Sequence, residues 1–97
     1  MPSLEYHLQK LGVFTPEEVR LAKNIEKTIF IINRRVPIGN EQVGVTLEVL
    51  IEELNRDREK DLQYTEDLMA SVIQKCKENH ILAEVDGKLY SITYYGE

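Results

Sequence analysis

Cysteine, histidine and long apolar runs are scarce in this chain, and each shortage removes a class of protein. One cysteine, Cys76, among 97 residues leaves no internal disulfide and no multi-cysteine zinc site. The two histidines, His7 and His80, with scattered acids, make no convincing metal-ligand set. The longest apolar stretch, around Ile29 to Ile32, is far short of the roughly 18 to 20 residues that span a bilayer. The opening MPSLEYHLQK has neither a basic leader nor an apolar signal core, so the expectation is an intracellular, cytoplasmic chain. Gly39 and Gly44 are isolated and Gly87 belongs to a turn, so no glycine-rich loop is present to cradle phosphate. Internal repeats, low-complexity tracts and linkers are also missing, and the length suits one domain over residues 1–97.

Basic residues are in short supply too. The formal net charge is −5, and it is unevenly spread. Residues 1–40 hold six Lys/Arg against four acids, whereas residues 41–97 hold six against thirteen. A dedicated nucleic-acid binder usually has the opposite balance, because neutralising phosphate dominates its affinity.

What is present is a series of well-marked elements. Leu4, Leu8 and Leu11 fall at i, i+4, i+7 with Gly12 after them, which predicts a short N-terminal helix over residues 1–12. Thr15, Pro16 and Glu18 form a helix start in which Thr15 caps and Glu18 completes a capping box. That helix is expected to run to about Arg35, where Pro37 biases Val36 away from helical dihedrals. Leu21, Ala22, Ile25, Ile29, Ile32 and Val36 make its apolar stripe, and Arg20, Lys23, Lys27 and Arg34 lie roughly opposite, with Arg35 nearby. Phe30 and Ile31 fall on the basic side, so the second half of this helix needs cover on two faces. The Leu4/Leu8/Leu11 stripe can supply it, from the same chain or from a second copy.

Residues 38–40 read as a turn and 42–45 as a short extended segment. Thr46 caps a helix carrying Leu47, Leu50, Ile51 and Leu54 inward, with Glu48, Glu52 and Glu53 outward. The charged stretch 55–61 reads as a solvated loop or a helix extension. Thr65 caps a third long helix, whose buried face is Leu68, Met69, Val72, Ile73 and Cys76, ending at Asn79 or His80. Cys76 reads as a small core hydrophobe; His80 is four residues on, without a third group to orient the pair. Then come two β-type runs, 81–85 and 88–95, joined by Asp86-Gly87, the dipeptide a type I′ hairpin turn favours.

A helix feeding such a hairpin resembles the third helix and wing of a winged helix-turn-helix domain, and the element order over residues 15–95 is similar to that superfamily. The implied fold is α+β, a three-helix core with a C-terminal β-hairpin wing and an extra N-terminal helix. One departure stands out: about nine residues separate the second and third core helices, where the usual turn has three or four.

The resemblance implies a small DNA-binding protein, a transcriptional regulator working as a homodimer on double-stranded DNA, with the third helix in the major groove. Its contacts would come from Thr65, Ser71, Gln74, Lys75, Lys77 and the wing's Lys88, and its dimer interface from Leu4, Leu8, Leu11, Phe30 and Ile31. Asp67 and Glu78 lie on the same helix face and oppose phosphate binding. The alternative is an acidic winged-helix module that docks a protein partner, through its acidic helices or the tyrosines Tyr90, Tyr94 and Tyr95, and binds no nucleic acid. No catalytic constellation, cofactor, metal or membrane segment is expected in either case.

Overall fold

The structure, a computed structural model, describes residues 4–34 and 43–92, with only the backbone of Leu4 and Arg34. Its elements in chain order are α1 (Leu4–Leu11), α2 (Pro16–Arg34), α3 (Leu47–Asn55), a 3-10 turn (Lys60–Leu62), α4 (Glu66–Glu78), β1 (Leu82–Val85) and β2 (Lys88–Ser91). Among the described residues the fold is therefore α+β, four α-helices and a two-stranded antiparallel hairpin. The expected turn at 38–40, together with Arg35, Val36, Tyr94 and Tyr95, lies outside the described residues.

The helix starts follow their capping chemistry. The Thr15 amide donates to Glu18 Oε1 at 2.8 Å and the Glu18 amide donates back to Thr15 Oγ1 at 3.2 Å, a closed capping box. Thr46 Oγ1 accepts from the Val49 amide at 3.3 Å, and Thr65 Oγ1 from the Leu68 amide at 3.1 Å. Helix α4 ends at Asn79. The His80 amide donates to the Lys77 carbonyl and the Ile81 amide to the Cys76 carbonyl, the paired bonds of a Schellman ending. That ending places His80 at φ 60°, a left-handed position usually given to glycine.

The described residues of the stripes predicted for α2, α3 and α4 turn to the core. Leu21, Ala22, Ile25 and Ile29 of α2, Leu50 of α3 and Met69, Val72, Ile73 and Cys76 of α4 meet in one core, closed below by Ile81, Leu82 and Leu89. Ile32, Leu47, Ile51, Leu54 and Leu68 pack around its margin. Leu8 of α1, expected in a dimer interface, joins this core with 0% of its surface exposed. A side chain sealed within its own chain has no apolar area left to bury against a second copy.

The hairpin is a tight one. Asp86 at φ 54° and Gly87 at φ 77° supply the two positive dihedrals of the turn, and Val85 pairs with Lys88 across it. On the far edge of β2, Val45 and Leu89 exchange backbone hydrogen bonds of 3.0 and 2.8 Å, so the segment before α3 adds an antiparallel bridge to the hairpin. Gly44 allows that approach: a Cβ there would stand 2.5 Å from Lys88 Cβ and 2.7 Å from the Tyr90 ring.

The connection between α3 and α4 differs from the loose loop or helix extension expected. Asn55 Nδ2 donates to the Tyr64 carbonyl at 3.0 Å and Asn55 Oδ1 accepts from the Tyr64 amide at 2.8 Å, which ties the two ends of the segment together. Arg58 lies over the Tyr64 ring, 4.3 Å from its centroid, and donates to the Leu62 carbonyl. Asn24 on α2 donates to the Tyr64 hydroxyl at 3.2 Å. The added length is thus a built connection that fixes the spacing of α3 and α4.

Candidate interaction surface on α4 and the hairpin

The outer face of α4 is the one the periodicity predicts. Asp67, Ala70, Ser71, Gln74 and Glu78 are exposed, while Lys75 and Lys77 are half-buried at its margins. Thr65 is exposed and engaged as the helix cap. Lys88 is exposed beside the hairpin turn. Of the six residues expected at DNA, then, Ser71, Gln74 and Lys88 offer unobstructed side chains. The two lysines of α4 are placed differently.

Lys75 turns inward to α2. Its ammonium donates to Glu18 Oε1 at 2.9 Å and Oε2 at 2.8 Å, and the Glu18 residue is 8% exposed. Lys75 beside it, with the Thr15 amide, holds the Glu18 carboxyl below the usual carboxylate range. Lys77 reaches across to β1 and donates to Glu84 Oε1 at 2.9 Å. The two pairs differ in strength. An exposed pair such as Lys77–Glu84 contributes roughly 0–1 kcal/mol and can be exchanged for another anion. Taking Lys75 away strands a buried carboxylate, a change that costs several times more.

The acids outnumber the cations on this face. Glu66 and Asp67 occupy the first turn of α4, where they complement the helix dipole, and Glu78, Glu84 and Asp86 follow toward the hairpin turn. The basic row of α2 is likewise partly committed, since Lys23 pairs with Glu5 of α1 at 3.0 Å. Arg20 and Lys27 are exposed on that row; the Arg34 side chain and Arg35 lie outside the described residues.

The expected dimer set divides in the same manner. Phe30 is half-buried within its own chain, Ile31 is 39% exposed and Leu11 is 37% exposed. The Leu4 side chain is outside the description. Helix α1 packs against α2 of the same chain, with Glu5 paired to Lys23.

Cys76 is no activated thiol. Burial, reinforced by the charge of Glu26, pushes it up to about 12, and His80 stands exposed beyond the helix end. Among the described residues no cluster of His, Cys, Asp or Glu is arranged to hold a metal ion, and no helix is long and apolar enough to cross a membrane.

Glu26 and Asn33 were not singled out by the sequence reading. Glu26 sits mid-way along α2, where its carboxylate accepts a hydrogen bond from the Ser91 hydroxyl at the end of β2. Asn33 grips the backbone of Val43 in both directions, accepting from its amide and donating to its carbonyl, and so holds the extended segment against α2. Comparison with protein-family models, curated proteins and solved structures finds no match to this chain.

Proposed function

We propose that this chain is a winged-helix module that docks a protein partner through the acidic face of α4. The order α2, extended Val45, α3, α4, β1, β2, with Val45 paired to the hairpin's second strand, supports the winged-helix reading. The observation that carries the functional reading is that both lysines of α4 are held by carboxylates of the same chain, Lys75 by Glu18 and Lys77 by Glu84. A helix entering the major groove needs a surround that neutralises phosphate. This one presents Glu66, Asp67 and Glu78 instead, which favours a Lys/Arg-rich partner.

Two titrations test the proposal. Fluorescently labelled Lys/Arg-rich peptides should bind at low salt, and the triple reversal Glu66→Lys, Asp67→Lys, Glu78→Lys should abolish that binding. A mixed-sequence DNA duplex should stay unbound at the same salt. Duplex binding that falls steeply with salt would reject the proposal.

The second reading, a homodimeric DNA-binding regulator, is favoured by one observation: Ser71 and Gln74 project freely from α4 with Lys88 free at the hairpin turn. Glutamine can pair with adenine through two hydrogen bonds. Under this reading the wild-type chain sediments as a dimer and Ile31→Glu as a monomer, Ile31 being the exposed apolar residue of α2.

A further inference from the structure

Among the described residues, Glu26 joins the hairpin to the helical core without an opposite charge. Its Oε1 accepts from the Ser91 hydroxyl of β2, and its Oε2 is fully buried with no hydrogen-bond partner. The groups facing it can be named element by element. From β2 comes Ser91 and from α4 the Cys76 thiol. On α2 itself the flanking cations are turned away, Lys23 to Glu5 of α1 and Lys27 to solvent. Burial and the Ser91 hydroxyl are the influences on its carboxyl, with burial the larger.

We propose that Glu26 is a proton-operated latch that holds the end of β2 against α2 when its carboxyl is protonated and loosens that end when it ionises. The chemistry is that of a buried carboxyl group. A proton on Oε1 can be donated to the Ser91 hydroxyl oxygen, which leaves Oε2 a neutral carbonyl oxygen; such an oxygen tolerates burial far better than half of a carboxylate. Ionisation places charge on the sealed Oε2, beside a thiol that burial keeps protonated. The charged form recovers solvation only by admitting water between β2 and α2. Burial accordingly raises the Glu26 carboxyl above its ordinary value of 4.5.

The strand end is well placed to respond. Beyond Ser91 the next described backbone bond is a single one, from the Ile92 amide to the Ile81 carbonyl at 3.0 Å. The middle of β2 is held independently, because Leu89 is paired to Val45 on one side and Val45 follows the Asn33 clamp. Loss of the Glu26 contact at Ser91 therefore acts on the end of β2 while its middle stays paired.

The test uses the intact chain, carboxyl-labelled at glutamate, with the Glu26 carbon shift and amide exchange followed by NMR from acid to neutral pH. Glu26 should titrate above 4.5. After correction for intrinsic rates, exchange at Ile92 should accelerate about tenfold across that titration while Leu89 changes little. Glu26→Gln, which imitates the protonated form, should keep Ile92 protected throughout. A Glu26 titration at or below 4.5 overturns the proposal. So does equal loosening of Leu89 and Ile92, or an unchanged pH dependence in Glu26→Gln. Should that variant fail to fold, the wild-type carbon titration and the Ile92-to-Leu89 contrast decide alone.

Discussion

Lys75 on α4 binds both carboxylate oxygens of Glu18, a residue 57 positions earlier that also closes the capping box of α2. One carboxylate thus completes the start of one helix and anchors the last turn of another. Its removal acts at two places.

Glu18→Gln should lower stability by about 1–2 kcal/mol, the sum expected of a weakened cap and a lost charge-assisted bond. Lys75→Met should cost at least as much, because it leaves the buried carboxylate without its cation. Urea midpoints at neutral pH measure both. Equal stability of wild type and Lys75→Met would mean that Glu18 is already solvated.

The same pair sets the acid limb of the stability curve. Glu18 has a lowered carboxyl value in the folded chain, so its contribution is fully present above the ordinary 4.5 and is lost as pH falls through the folded value. Glu26 has the opposite sign: its stabilisation is present below 4.5 and lost as pH rises through its raised folded value. Thermal melts across pH should therefore show an acid limb that flattens in Glu18→Gln. The limb above 4.5 should flatten in Glu26→Gln.

Asn55 makes two hydrogen bonds to the Tyr64 backbone, at 3.0 and 2.8 Å. Asn55→Ala should destabilise by about 2 kcal/mol, near 1 for each bond, and raise amide exchange throughout 56–64. Tyr64→Phe removes only the Asn24 contact and should cost less than about 1 kcal/mol. If both variants lose the same stability, the clasp is not what orders this segment.

His80 occupies a left-handed backbone position at φ 60°. His80→Gly should stabilise the chain by about 1 kcal/mol, since glycine carries no Cβ penalty there. The gain should be visible as a raised melting temperature. A loss would show that the imidazole contributes more than the strain it imposes.

Cys76 should be unreactive in the folded chain. Its thiol is buried and pushed up to about 12, so a thiolate-specific reagent at mildly alkaline pH should modify it only after denaturation. Fast labelling of native protein would place Cys76 at the surface.

Much of this fold is written locally. Thr15, Thr46 and Thr65 each announce a helix because a threonine oxygen can satisfy an amide three residues on, and Asp86-Gly87 announces the hairpin because both positions need positive φ. The apolar stripes of α2 and α4 are legible for the same reason: helical periodicity fixes which side chains share a face. The outward set on α4, Asp67, Ser71, Gln74 and Glu78, follows from that spacing alone. Capping, turn chemistry and periodicity act within a few residues, and a sequence records such distances directly.

Tertiary structure decided what the charges do. Nothing near Lys75 in the chain marks Glu18 as its partner, and nothing near Glu26 marks Ser91 or Cys76. Packing brings these groups together across 57 and 65 residues, and there burial decides whether a charge is satisfied or left without a partner. It likewise decided that Leu8 is sealed inside its own chain rather than offered to a second. Local sequence therefore determined the elements and their faces. Which cations remain free for a partner was settled only by the desolvation that packing imposes.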